Sequence, residues 1–286
     1  MRKFLTSTVS SIIFGTHKLT GNGRSGGLRI LTYHRVNDIP GDRLSVHPQE
    51  FERQMSWLKA HGYVGVSVKE GLKSLNSSQG DRTQMVITFD DGYLDNYVNA
   101  FPILKKYGFF GTVYVITKFL GESSSVIPAE AGIQRNGPPL SRGRQTPRAQ
   151  RRTFLSWDEI NEMNKYGIEF GSHTVNHPRL TSVDGSKIKE ELWQSKQEIE
   201  QKLGITCESF CYPGGLLNSE IANQVREAGY SSATTVMPGA NLPGADPFLL
   251  KRTEISGEDS IFEFEKKIGG AYDLLHKVWQ AAGMLK

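Results

Sequence analysis

Met85-Val86-Ile87-Thr88-Phe89-Asp90-Asp91-Gly92 is the stretch on which the reading of this chain turns. Its five leading residues are apolar or β-branched, a run too short for a helix. Two carboxylates and a glycine follow, so the run reads as a buried strand broken at its C-terminal end. The same unit recurs in both directions. Upstream, residues 28–33 read as a short buried strand, and residues 48–61 carry Phe51, Met55, Trp57 and Leu58 at helical spacing before Gly62. Downstream, Gly108 stops a helix that runs through Lys106, and strands are expected over 110–116, 168–172, 209–212, 231–236 and 248–255. Ser156-Trp157-Asp158-Glu159 fits a capping box that opens a helix ending near Gly167. Further helices are expected over about 184–203, 219–228 and 262–279. Strands alternating with helices along most of the chain predict an α/β protein, either a parallel sheet or a β/α barrel, with its chemistry at the C-terminal strand ends.

The composition agrees with one such domain. A chain of 286 residues with 14 Phe, 10 Tyr and 4 Trp can bury a large core, which excludes a disulfide mini-protein, a collagen and a mostly disordered tail. The formal charge of +4 is local: residues 122–152 hold six Arg against two Glu, so the rest of the chain is neutral and no nucleic-acid-binding face is implied. That region also holds four of the twelve Pro and no periodicity, and is expected to be a mobile, basic insertion. Its piece Val126–Gln134 resembles a translated interspersed repeat; a basic arm gripping an anionic polymer is the competing reading. Residues 1–27 are expected to be a weakly apolar, flexible segment. They resemble a signal peptide only faintly, lack a small-x-small cleavage site, and are too short and polar to span a bilayer. A cytoplasmic or membrane-peripheral location is favoured over secretion, with no other sequence support for membrane association. Cys207 and Cys211 read as buried free thiols.

Three clusters carry chemistry. Adjacent strand residues point to opposite faces, so Asp90 and Asp91 can share a site only where the strand breaks, and Gly92 permits that turn. Alone, the motif is an ordinary turn. The second cluster is Ser172-His173-Thr174-Val175-Asn176-His177-Pro178. Two His four apart can face one ion, and Pro178 places His177 on a loop rather than a helix. Joined to an Asp-Asp strand end, the pair reads as a His-His-Asp site for zinc or a similar ion, with an open position for water. The third cluster is Tyr212-Pro213-Gly214-Gly215, whose backbone N–H groups could hold an oxyanion or form a plain turn.

In this order the three clusters resemble the polysaccharide deacetylase family, also called the NodB-homology or carbohydrate esterase family 4 domain, over residues 28–256 apart from the insertion. The resemblance implies a distorted (β/α)7 barrel in a single domain. It carries the general-base role to Asp90 and the metal role to Asp91, His173 and His177, with Zn2+ the expected ion. It gives Tyr212 and Pro213 to substrate binding and the oxyanion-holding N–H to Gly214. Two departures stand out. Cys211 occupies the position of the arginine that steadies the base, which makes Arg252 the candidate replacement. For the general acid, Leu274-Leu275-His276 matches a C-terminal family motif but lies in a terminal helix beyond the barrel. The N-terminal Tyr33-His34 instead resembles a permuted branch that includes deacetylases of biofilm poly-N-acetylglucosamine, and it implies His34 as the acid. The implied activity is metal-dependent removal of acetyl groups, foremost N-acetyl from hexosamine units of a polysaccharide or its precursor. An O-acetyl esterase and an inactive carbohydrate-binding relative are the alternatives. The expected partner is an acetylated carbohydrate and not nucleic acid.

Overall fold

The computed structural model describes residues 27–77, 83–121 and 153–273. In chain order its strands are β1 (Arg29–Tyr33), β2 (Arg35–Val36), β3 (Ser45–Val46), β4 (Val64–Val66), β5 (Gln84–Phe89), β6 (Thr112–Val115), β7 (Glu169–Ser172), β8 (Ser209–Cys211), β9 (Ser232–Pro238) and β10 (Leu250–Glu254). Seven of them, β1 and β5 to β10, close into a parallel ring. Closure is made by β1, which pairs with β5 from Arg29–Met85 to Tyr33–Phe89 and with β10 at Leu31–Thr253. The expected single-domain (β/α)7 barrel is therefore the observed fold. β4 is an addition outside the ring: it pairs with the first half of β5 while β6 pairs with the second half. β2 and β3 form a separate two-stranded sheet beside the ring.

The helices pack around the ring: α1 (Pro48–Ala60), α2 (Val68–Leu75), α3 (Phe101–Tyr107), α4 (Trp157–Tyr166), α5 (Gly185–Leu203), α6 (Ser219–Glu227) and α7 (Ile261–Ile268). Their starts follow from local chemistry. In α4 the expected capping box forms, with Ser156 Oγ accepting from Glu159 N and Glu159 Oε2 accepting from Ser156 N, which satisfies two N–H groups the helix leaves open. α5 starts at Asp184, whose carboxylate accepts from Lys187 N, and stops at left-handed Gly204.

Period-two alternation divides each strand between two apolar layers. Leu31, Tyr33, Ile87, Phe89, Val113, Val115, Phe170, Phe210 and Tyr212 face the helices. Leu28, Ile30, Val86, Tyr114, Cys211 and Leu250 fill the barrel interior. Burial of each large side chain contributes roughly 1.5–3 kcal/mol, so both layers hold the ring closed. The parity also decides which side chains rise into the mouth.

One expectation is corrected. The terminal helix expected over 262–279 ends at Ile268, because Gly269 and left-handed Gly270 interrupt it before 271–273. His276, the insertion at 122–152 and residues 1–26 lie outside the described residues. Among the described residues no helix is long and apolar enough to cross a membrane.

Candidate active site

The interior parity of β1, β5, β7, β8 and β10 continues past the apolar layer. On β1 it runs through Ile30 and Thr32 to His34, and on β5 through Val86 and Thr88 to Asp90. His173 follows β7, Cys211 ends β8, and Arg252 follows Leu250 on β10. Five side chains from five strands thus share one polar layer at the C-terminal end of the barrel.

Asp90 and Arg252, each about 97–98% buried, form a two-pronged pair: Nη1 to Oδ1 at 2.7 Å and Nη2 to Oδ2 at 2.8 Å. Arg252 Nε donates to the Thr235 carbonyl at 2.7 Å, which fixes the plane of the fork. Burial alone would raise the Asp90 carboxyl. The charge and hydrogen bonds of Arg252, with His173 and His34 adding to them, outweigh it and hold Asp90 well below the usual carboxylate range. His34 Nε2 lies 3.9 Å from Asp90 Oδ2.

Asp91 reaches the same mouth because the strand breaks at the residue itself: its φ is 73° and that of Gly92 is 72°. The sequence reading placed the break at Gly92 alone. Among the described residues only two other non-glycines have positive φ, Thr174 at 70° and His177 at 57°, both in the loop after β7. Such backbone costs of order 1–3 kcal/mol per residue, and it concentrates on the side chains of one cluster.

That cluster is Asp91, His173 and His177. His173 Nε2 lies 3.6 Å and His177 Nε2 3.8 Å from Asp91 Oδ1, and the two Nε2 atoms are 3.2 Å apart. The Cys211 carbonyl accepts from His173 Nδ1 at 2.8 Å, so in the neutral ring Nε2 presents its lone pair to the cluster. Burial, reinforced by His173 and opposed by Asp91 and Asp90, lowers the His177 imidazole to about 4, which leaves it neutral at physiological pH. Two ring nitrogens and a carboxylate oxygen facing one another at this range fit a cation between them. Tetrahedral zinc with bonds of ~2.0–2.1 Å sets its donors roughly 3.3 Å apart.

Asp90, His173 and Cys211 also converge, but they are the poorer donor set. Both Asp90 oxygens are taken by Arg252, and burial pushes the Cys211 thiol well up, keeping it protonated. Cys207 and Cys211 are both buried and free, as expected. Cys211 also contacts the polar layer: Arg252 Nη2 lies 3.2 Å from its sulfur, and the sulfur 3.6 Å from Asp90 Oδ2.

The loop after β5 braces the segment that bears His34. Asp95, 5% exposed, accepts from Arg35 Nε at 2.9 Å and Val36 N at 3.0 Å, while Asn96 Nδ2 donates to the His34 carbonyl at 2.9 Å. Burial and the adjacent Asp91 carboxylate push the Tyr93 phenol up, so it remains a donor toward that carboxylate. Sequence reading did not single these out.

The third cluster differs from expectation. Tyr212 is fully buried on the helix side of β8, edge-on to Phe210 and with its hydroxyl donating to the Phe248 carbonyl at 3.1 Å. Its strand parity, opposite to that of Cys211, turns it away from the mouth. Pro213 is buried beside it, so neither presents a surface to a substrate there. Gly214 is exposed and left-handed, with φ 62°, and a Cβ there would meet nothing within 4 Å.

A family model for polysaccharide deacetylases matches residues 77–233. This chain belongs to the polysaccharide deacetylase family. The Bacillus subtilis protein YxkH, whose name assigns it to the polysaccharide deacetylases, is 30% identical over 230 residues, covering 80% of this chain and 71% of its own. A poly-beta-1,6-N-acetyl-D-glucosamine N-deacetylase of Staphylococcus epidermidis is 26% identical over 251 residues, covering 80% of this chain and 78% of the relative. Among solved structures, the Streptococcus pyogenes deacetylase PplD in complex with acetate superposes with a TM-score of 0.69 at 25% identity, over 85% of this deacetylase-family chain and 98% of PplD.

Proposed function

We propose that this chain is a metal-dependent hydrolase that removes N-acetyl groups from hexosamine units of a polysaccharide or its precursor. The observation that carries the reading is the convergence of Asp91, His173 and His177 within 3.8 Å, beside an Asp90 that Arg252 keeps ionised. Asp91, His173 and His177 would hold the ion, zinc by their donor chemistry. When bound, such an ion supplies Lewis acidity that activates water and polarises the amide carbonyl.

Asp90 accepts the proton of the attacking water, and it is available as the carboxylate because the Arg252 guanidinium outweighs the effect of burial. Arg252 holds the carboxylate in one orientation through both oxygens. His34 gives a proton to the leaving nitrogen as the C–N bond breaks, so acetate and a free amine depart. Histidine suits this role because its ordinary titration range spans neutral pH. The Gly214 N–H is assigned to the oxyanion that forms as water adds. The pairing of β1 with β5 sets Tyr33 beside Phe89 and His34 Nε2 3.9 Å from Asp90 Oδ2, a juxtaposition that supports giving the acid and base roles to these two residues.

The name of the Staphylococcus epidermidis relative supports an N-acetylated polymer as substrate. The test is acetate release from a panel of N- and O-acetylated oligosaccharides, after chelation and after zinc is restored. We expect release from N-acetylhexosamine oligomers that stops on chelation and returns with zinc. Release from O-acetyl esters alone overturns the amide assignment, and zinc uptake without any acetate overturns the enzyme reading.

A further inference from the structure

We infer that Glu191, a buried carboxylate on the helix behind the metal-ligand loop, is a positioning residue that sets the convergence of His173 and His177. The inference rests on the metal reading above. Glu191 lies in the middle of α5 and is 1% exposed. Its Oε2 accepts from the backbone N–H of Val175 at 2.9 Å and of Asn176 at 2.9 Å, and its Oε1 accepts from Asn176 Nδ2 at 2.6 Å. Val175 and Asn176 lie between the two histidines. The nearest positive group is Lys187 Nζ, 3.8 Å from Oε1.

The loop has a geometry that an unsupported chain would leave. Thr174 and His177 are both left-handed, a conformation with a steric penalty for a side-chain-bearing residue. Thr174 cannot relax alone, because its N–H donates to Ser172 Oγ at 3.1 Å and its Oγ1 accepts from His177 N at 2.9 Å. Ser172 Oγ in turn meets Ser195 Oγ at 2.7 Å, one helical turn beyond Glu191. Lys118 N donates to the Val175 carbonyl at 3.2 Å. Within this frame Glu191 alone takes two consecutive amide hydrogens, and consecutive amides can both reach one acceptor only when the backbone curls around it. An amide in its place would turn a donor toward a donor on one side and lose part of that grip.

The test is zinc binding by the full chain, measured by calorimetry and by the visible spectrum of the cobalt form. Glu191→Gln is compared with Lys196→Met, which removes a different buried polar group of α5, one bonded to the Cys207 carbonyl away from the loop. We expect Glu191→Gln to weaken zinc about 10- to 100-fold, the range seen when partners of metal ligands are removed, and to alter the cobalt spectrum. Lys196→Met should lower the melting temperature without moving zinc affinity. Should Glu191→Gln fail to fold, Asn176→Ala removes the Oε1 partner from a half-buried loop position and should weaken zinc by several-fold. Zinc affinity within twofold of wild type in the folded variant, or in Asn176→Ala where Glu191→Gln does not fold, overturns this inference alone. Absence of zinc uptake by the wild-type chain overturns the metal reading, and the inference with it.

Discussion

Asp90 and Arg252 are each costly to bury alone and are compatible with the interior only as a pair. Arg252→Met leaves the carboxylate without its guanidinium, a change expected to cost about 3–5 kcal/mol at neutral pH. The sign of its pH dependence follows from the depressed Asp90 carboxyl. Stability from a depressed acid is fully present above the ordinary carboxylate pKa of about 3.9 and is lost as pH falls below it. In the variant, burial is opposed only by the lesser pull of His173 and His34 and favours the protonated acid, so the penalty shrinks toward acid. Urea midpoints of the two proteins should differ most at pH 7 and converge toward pH 3; a gap that stays constant with pH would show that the pair is not the source. For His34 the expectation is kinetic. His34→Asn should fold, bind zinc normally and lose about 10²-fold or more in kcat, whereas near-normal kcat moves the acid elsewhere, with His276→Asn as the comparison.

At the scale of elements, β1, β5 and β6 were legible as short apolar or β-branched runs, and the more polar β7, β9 and β10 by the turn residues and helices that alternate with them; interior parity follows from period two. β4 was not. It is three residues long and centred on Gly65, which reads as a break; the fold uses that glycine because a Cβ would lie 2.7 Å from the Cβ of Phe109. Asp90, Asp91, His173 and His177 could be picked out because chemistry concentrates at strand ends. Tyr212 was misjudged because its motif fixed a position in sequence but not a face of the strand. Glu191 passed unnoticed inside a charged helix, although it falls with Ile188, Leu192 and Ser195 on the buried stripe, the one signal that could have marked it. Gly171 tests how tightly these elements fit. A Cβ there would meet Ser209 Oγ at 2.5 Å and the Ser209 carbonyl at 2.7 Å, so β7 and β8 must part. Gly171→Ala should cost about 1–3 kcal/mol by denaturant midpoint and weaken zinc, since His173 follows two residues later. An unchanged midpoint would mean that the strands separate freely.

For the whole molecule, the flanks of the basic insertion are joined without it. Gly121 N donates to the Leu155 carbonyl at 2.8 Å and Leu94 N to the Thr153 carbonyl at 2.9 Å, and Tyr93 bridges Phe154. Loop closure changes by only about 0.6 kcal/mol per doubling of length. Replacing residues 123–150 with a short Gly/Ser linker should therefore leave the melting temperature and turnover nearly unchanged. Turnover lost on an anionic polymer but kept on a neutral one would identify the insertion as a substrate arm.

Ring closure through β1 also has a kinetic consequence. Leu31 must find both Ile87 and, more than two hundred residues along the chain, Thr253. Contacts of such sequence separation form slowly, because the entropy of closing the loop is lost before any pairing offsets it. His34 enters with β1 and Arg252 with β10, so a half-closed barrel can hold Asp91, His173 and His177 together before the proposed acid His34 and the Arg252 that orients Asp90 are in place. A refolding chain should therefore regain zinc binding in an early phase and acetate release only in the slowest one. Simultaneous recovery of the two signals in stopped-flow refolding would mean that the barrel closes in a single cooperative event.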